Sequence, residues 1–135
     1  MKTKHFTNLQ HRFETSQQQL ITTDLEPILG ECMGEMSLLR ELISLFRLNA
    51  LEFIGAARIH LDNTDFKALA LAAHKIKAGL AMMRTDSLHA IVCLIEKECC
   101  GDQDPKHLQF LYDCFVDEFP SVETSIEVAL AQLDQ

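Results

Sequence analysis

The chain has 135 residues, 47% of them hydrophobic, and a formal net charge of −8 at pH 7. This length suits one domain with a buried core, and only 5 glycines and 3 prolines disfavour a turn-rich all-β fold. Binding to a nucleic-acid backbone needs clustered Lys and Arg, and no apolar run approaches the ~20 residues that span a bilayer. Five cysteines without a secretory signal indicate free thiols. The composition therefore predicts an acidic cytoplasmic domain that binds neither nucleic acid nor membrane.

Helical periodicity begins after residue 20. Residues 1–20 are polar and are predicted to form a tail, whereas residues 21–135 are predicted to form one domain. Leu25, Ile28 and Leu29 predict a short first helix that ends near Gly30 to Gly34. A second, amphipathic helix of about six turns follows. Its apolar positions recur at three- and four-residue steps: Leu38, Leu39, Leu42, Leu45, Phe46, Phe53, Ala56 and Ala57.

Three further helices are predicted, separated by short polar connections. The third runs from about residue 65 to 83, the fourth follows Thr85 as its N-cap and stops at Gly101, and the last begins at Asp104-Pro105. Pro120 lies inside this last pattern and predicts a kink or a break. No strand-like alternation competes with these helices. We therefore expect an all-α fold, an antiparallel four-helix bundle (up-down-up-down) with a short extra N-terminal helix across one end.

The third predicted helix carries a histidine that points away from the core. At about 100° per residue, the apolar stripe lies opposite His74: Leu69, Ala72, Ile76, Gly79, Leu80 and Met83. The side of His74 instead carries small residues (Ala70, Ala78 and Ala81), and Lys77 follows three positions later. No Asp or Glu of this helix joins that face after its first residue. We therefore expect an accessible imidazole on a locally positive face that lacks carboxylates.

An exposed imidazole is a nucleophile at neutral pH, because its neutral form keeps a nitrogen lone pair. A phosphoryl group on His74 would carry close to two negative charges, which Lys77 could partly neutralise and which nearby carboxylates would oppose. These residues favour a histidine that carries phosphate.

The segment Ala73-His74-Lys75-Ile76-Lys77-Ala78-Gly79 resembles the signature of histidine-containing phosphotransfer (HPt) domains. That signature is a histidine, any residue, an aliphatic residue, a lysine and then a small residue, near the middle of a bundle helix. The resemblance extends over roughly residues 21 to 133. Two positions depart from it, because Ala78 replaces the usual glycine after the lysine and Arg84 replaces a second common glycine ten residues after the histidine.

The resemblance implies a function and its residues. His74 would accept a phosphoryl group from the aspartate of a receiver domain and pass it to another receiver, while Lys77 would stabilise the phosphoryl group. Ala70, Leu71, Ala78, Gly79 and Ala81 would form the docking surface. The partners would be receiver domains of response regulators or hybrid histidine kinases, and Mg²⁺ would belong to the receiver. The chain itself would be a monomeric phosphocarrier, without an ATP site, a cofactor or a metal of its own, and not an enzyme.

Two alternatives remain open. A helical adaptor that binds a receiver or kinase domain without phosphorylation would share the same fold. His89 and Cys93 are spaced at i, i+4 and could bind one zinc ion from a single helix. However, Cys93 lies near the apolar stripe, and a cysteine that packs as a small hydrophobic residue is the more common case.

Overall fold

The computed structural model describes residues 23–134, which form helices and no strand. There are five helices in this range: α1 (Glu26–Glu31), α2 (Met36–Asp62), α3 (Phe66–Met82), α4 (Asp86–Cys100) and α5 (Pro105–Leu133). The predicted all-α class and the order of one short and four long helices are confirmed. The predicted tail over residues 1–20 lies outside the described residues.

The four long helices pack in a ring. Helix α2 packs against α3 and α5, and α4 packs against the same two neighbours, while α1 packs against α2. Consecutive helices are thus neighbours in space, as expected of a bundle with short connections. The up-down-up-down order of helix directions and the placement of α1 across one end stay predictions. No helix among the described residues is both long and apolar enough to cross a membrane.

Aromatic side chains hold α2 against α5. The Phe53 and Phe115 ring centroids lie 5.0 Å apart in an edge-to-face arrangement, and Phe46 lies 6.2 Å from Phe119. The Tyr112 hydroxyl donates a hydrogen bond of 2.8 Å to the Ile54 carbonyl oxygen. All of these contacts join α2 to α5. The residues on the outer face of α3 take no part in them.

Pro120 does not break α5, which runs without interruption from Pro105 to Leu133. Of the two predicted effects of Pro120, the break is therefore wrong, and the kink stays a prediction. Proline removes one backbone N–H donor and so leaves one carbonyl of the preceding turn without its helical partner. Pro120 is exposed whereas Phe119 beside it is buried. The helix can continue because water is available on the side where the proline lies.

The turn between α3 and α4 uses a left-handed residue. Arg84 has φ +57°, and the Thr85 amide donates to the Leu80 carbonyl oxygen while the Arg84 amide donates to that of Ala81. This pair of hydrogen bonds is the Schellman motif, whose left-handed position is usually glycine. Thr85 precedes α4 as predicted, but its hydroxyl donates to the Leu80 carbonyl oxygen at 2.9 Å and does not cap α4. The side-chain cap expected of Thr85 is therefore absent.

The substitution Arg84→Gly should raise the free energy of unfolding by about 1 kcal/mol, since a side chain in the left-handed region costs about that much. Urea denaturation of the two proteins measures the difference. Arg84→Ala is the matched control, because alanine removes the exposed side chain but keeps the left-handed penalty. A gain of equal size in both variants would contradict the backbone explanation.

Candidate functional site

Helix α3 presents His74 to solvent. The helix begins at its N-cap Asp65, whose carboxylate accepts a hydrogen bond of 3.1 Å from the Ala68 amide. Alanine and leucine then sustain the helix because they have the highest helix propensities. The neighbouring residues Ala73 and Ile76 are buried in the core, whereas the His74 side chain is 70% exposed. The outward direction of the imidazole follows the predicted periodicity.

A carboxylate from α4 lies beside this histidine. Glu96 Oε2 is 2.9 Å from His74 Nδ1, and Glu96 Oε1 is 2.5 Å from Lys77 Nζ. One carboxylate therefore bridges the imidazole and the ammonium group. The expectation of a face without carboxylates is wrong, because it considered the residues of α3 and did not include those of the helix packed against it.

The three side chains form one electrostatic unit. The hydrogen bond from Lys77 holds the pKa of Glu96 below its ordinary value, against the opposing effect of burial, and the contact with His74 acts in the same direction as Lys77. The same hydrogen bond to Glu96 raises the pKa of Lys77. At neutral pH the pair is thus a carboxylate and an ammonium ion, and Glu96 can only accept hydrogen bonds.

The contact with Glu96 assigns the two nitrogens of His74. Nδ1 faces a carboxylate, which has no proton to donate, so Nδ1 carries the N–H and donates to Glu96. In neutral imidazole the other nitrogen then keeps the lone pair. His74 Nε2 has no hydrogen-bond partner within residues 23–134. The nucleophilic nitrogen therefore lies at the solvent-facing edge of the ring.

The residues around His74 are small or apolar, and they differ in exposure. Leu71, Ala78 and Ala81 are exposed, whereas Ala70 is partly buried and packs against the core. Gly79 lines a groove of about 170 Å³ between α2 and α3, together with Asn49, Glu52, Ala56 and Lys75 among others. The predicted docking residues therefore differ in accessibility: Leu71, Ala78 and Ala81 are exposed, Ala70 is partly buried against the core, and Gly79 opens onto the groove.

Large apolar side chains are exposed on several helices. Leu71 on α3 is 64% exposed, and Leu45 and Leu48 on α2 are 51% and 59% exposed. Met82 near the end of α3 is also exposed. Exposed charged residues such as Glu41, Arg47 and Glu52 lie among the leucines of α2, so these side chains do not by themselves define one apolar patch.

The fold and the site define a class: a helical bundle with an accessible histidine and, one turn away, a lysine, both in contact with one glutamate. A family model described as "Hpt domain" matches residues 41–135. The chain belongs to this family, which has a phosphotransfer-related role in phosphorelays, and whose members are phosphocarrier modules that interact with receiver domains. The match begins in the second turn of α2, so it does not include α1, although the resemblance of the sequence extended to residue 21. Comparison with curated proteins and with solved structures gives no significant match.

Glu96 is the site residue that sequence reasoning missed, although the chain contains a signal for it. His74 is eleven residues before Thr85, and Glu96 is eleven residues after it. Two helices that fold back on each other about a turn at Thr85 bring such positions to the same level.

The alternative zinc site consists of two side chains and no more: Cys93 Sγ lies 3.8 Å from the His89 ring nitrogens, and no cluster of three possible metal ligands occurs in the described part of the chain. All five cysteines are free, as predicted.

The Glu96 carboxyl should titrate below its ordinary pKa of 4.5 in the folded protein, and Lys77→Ala should move its midpoint upward because the main cause of the shift is lost. Side-chain carboxyl NMR across an acid titration measures both midpoints. Because the folded pKa is the lower one, the stabilisation from this contact is present above the unfolded pKa and disappears as the pH falls through the folded pKa. An unchanged midpoint in Lys77→Ala would show that Lys77 is not the cause.

Proposed function

We propose that this protein accepts a phosphoryl group from the aspartyl phosphate of a receiver domain on His74 Nε2 and passes it to the aspartate of another receiver. The observation that carries the proposal is the accessible imidazole whose Nδ1 is held by Glu96, with Nε2 left toward solvent. Membership of the Hpt family supports the same reaction. The receivers would be those of response regulators or hybrid histidine kinases, and the Mg²⁺ would be part of the receiver.

The reaction needs one nucleophile from this chain. The Nε2 lone pair attacks phosphorus, the bond from phosphorus to the aspartate oxygen breaks, and the carboxylate leaves with the electron pair. The ring then carries a positive charge, and Nδ1–H shares that charge with Glu96. Onward transfer reverses these steps on a second receiver. Since phosphoryl transfer depends mainly on positioning and charge stabilisation, a rigid helix that holds the imidazole in place is a sufficient framework.

Lys77 is the cation of this site. Its Nζ lies one helical turn beyond His74 and is held by Glu96, on the same side of α3 as the imidazole. A phosphoryl group on Nε2 would bring close to two negative charges to this region, and the Lys77 ammonium could form a charge-assisted hydrogen bond with it. We assign Lys77 the role of stabilising the phosphoryl group during and after transfer.

The docking surface proposed for receivers is centred on His74. Ala78 and Ala81 leave room for the partner's acidic pocket to approach the imidazole, and Leu71 offers an apolar contact beside it. Gly79 would contribute through the groove between α2 and α3, and Ala70 through its small side chain one turn before His74. Action as a monomer in the cytoplasm remains a prediction from the sequence.

His74→Gln should abolish label transfer from a phosphorylated receiver while leaving the fold unchanged, because a substitution at an exposed position costs only ~0.5 kcal/mol or less. The measurement is acid-labile, base-stable radiolabel on this chain after incubation with phosphorylated candidate receivers, together with a thermal melt. His107→Gln is the matched control, since His107 is another exposed histidine near a carboxylate, with Nε2 3.8 Å from Glu98 Oε1.

Two results would contradict the proposal. Label that persists in His74→Gln would place the phosphate elsewhere. Binding of a receiver that never transfers label, with equal affinity for the wild type and His74→Gln, would support the phosphorylation-independent adaptor.

Lys77→Ala should slow phosphoryl transfer by about tenfold and shorten the lifetime of the phosphohistidine, because one charge-assisted hydrogen bond to the phosphoryl group is lost. Quenched time courses with a receiver that labels the wild type give the rate, and decay of the isolated phosphoprotein gives the lifetime. Lys67→Ala is the control, since Lys67 is exposed on α3 two turns before His74 and has no ion pair in the described structure. Equal rates and lifetimes for all three proteins would remove Lys77 from the mechanism.

A further inference from the structure

Glu96 contacts the nitrogen of His74 that does not take the phosphoryl group. Its Oε2 atom remains within 2.9 Å of Nδ1 on one side of the ring, while the proposed phosphorylation site, Nε2, is on the other. The contact is therefore compatible with the phosphorylated state. The effect of this contact on phosphorylated His74 is separate from its effect on the orientation of the free imidazole. The inference that follows rests on the proposed function of His74.

The proton on Nδ1 decides whether a phosphohistidine can give up its phosphoryl group. When the bond from Nε2 to phosphorus breaks, the ring takes the electron pair. A ring that carries Nδ1–H leaves as neutral imidazole, whereas a ring without that proton would have to leave as an imidazolate anion, which is a far poorer leaving group. A phosphohistidine is therefore reactive when Nδ1 is protonated and inert when it is not.

The charges facing the ring favour the protonated form. From α4, Glu96 places a carboxylate on Nδ1, and Cys93 lies on the same side one turn earlier. From α3, Lys77 is paired to that carboxylate, while Lys75 faces the groove toward α2 with Glu52. The nearest charge to Nδ1 is thus the negative one, and an opposite charge in direct contact stabilises a cation.

We infer that Glu96 keeps the proton on Nδ1 of phosphorylated His74 and thereby keeps the phosphoryl group transferable at neutral and mildly alkaline pH. In onward transfer the bond from Nε2 to phosphorus breaks, the bond from phosphorus to the receiver's aspartate oxygen forms, and the ring returns to the neutral form with Nδ1–H still donated to Glu96. Glu96 acts through the ring and does not touch the phosphoryl group, so it is a positioning residue.

Glu96→Gln isolates this effect. The glutamine amide oxygen can still accept the hydrogen bond from Nδ1–H, so the ring keeps its orientation, but the negative charge is gone. Glu127→Gln is the matched control, because it removes one carboxylate from an exposed position on α5 that has no ion pair or side-chain hydrogen bond in the described structure. Thermal melts of both variants establish that the bundle is intact.

The experiment measures phosphohistidine reactivity as a function of pH. Each protein is phosphorylated with potassium phosphoramidate, and the His74→Gln variant measures the label on residues other than His74. Hydrolysis is then followed from pH 5 to pH 9, and so is transfer to one receiver. The readout is the ratio of the wild-type rate to the Glu96→Gln rate at each pH, which cancels the receiver's own pH dependence.

The expected ratio is close to one at pH 5 and rises to about tenfold at pH 8, because only the wild-type ring has a carboxylate in contact with Nδ1 that holds the proton there as the pH rises. Glu127→Gln should match the wild type throughout. Glu96→Gln also releases Lys77 from its ion pair, and the charge of the phosphoryl group that Lys77 contacts changes over this range. Lys77→Ala, measured in parallel, gives the effect of losing that cation at each pH, so the rise with pH that exceeds it reports the proton on Nδ1.

A ratio that stays constant with pH, or equals one at every pH, would overturn the inference. The hydrolysis measurement needs no receiver, so it separates the two proposals. If hydrolysis shows the rising ratio but no receiver exchanges phosphate with the wild type, the inference on Glu96 is supported and the proposed function is overturned. If receivers exchange phosphate with the wild type, but the ratio of the wild-type rate to the Glu96→Gln rate does not vary with pH, only the inference on Glu96 is overturned.

Discussion

The packing of α4 against α3 is the constraint on which the site depends. It brings the Glu96 carboxylate into contact with both His74 Nδ1 and Lys77 Nζ, two side chains that helical spacing alone places one turn apart. This carboxylate fixes the tautomer of the imidazole and holds the ammonium group beside it. In many proteins, a hydrogen bond to one ring nitrogen of a histidine determines which nitrogen carries the proton and leaves the other nitrogen with its lone pair.

The residues that stabilise the bundle are not those on the outer side of α3. Its core is closed largely by buried aliphatic and aromatic residues, among them the phenylalanine rings of α2 and α5. The outer side of α3 is left with residues that do little for stability, such as Ala78 and Ala81. An exposed position of this kind tolerates substitution, so an imidazole at position 74 does not disturb the core.

The turn between α3 and α4 determines which residues of the two helices lie opposite each other. The Schellman hydrogen bonds of Arg84 and Thr85 end α3 after Met82 and start α4 at Asp86 with a minimum of chain between them. Because Thr85 is buried and its hydroxyl is used within the turn, the turn is anchored to the bundle. A short, anchored turn leaves little freedom for α4 to slide along α3, and this keeps Glu96 opposite His74.

The sequence by itself determined the helices, their order and the outward direction of His74, because the periodicity of apolar residues and the caps are local properties that one helix expresses without its neighbours. It also determined that Lys77 lies one turn from His74, which needs only the geometry of a single helix. The tertiary structure decided that Glu96 joins them, that Ala70 is partly buried against the core, and that α5 continues past Pro120. These features depend on which side of an element meets another helix or water, and a one-dimensional pattern does not contain the contact between two helices whose residues are far apart in the chain.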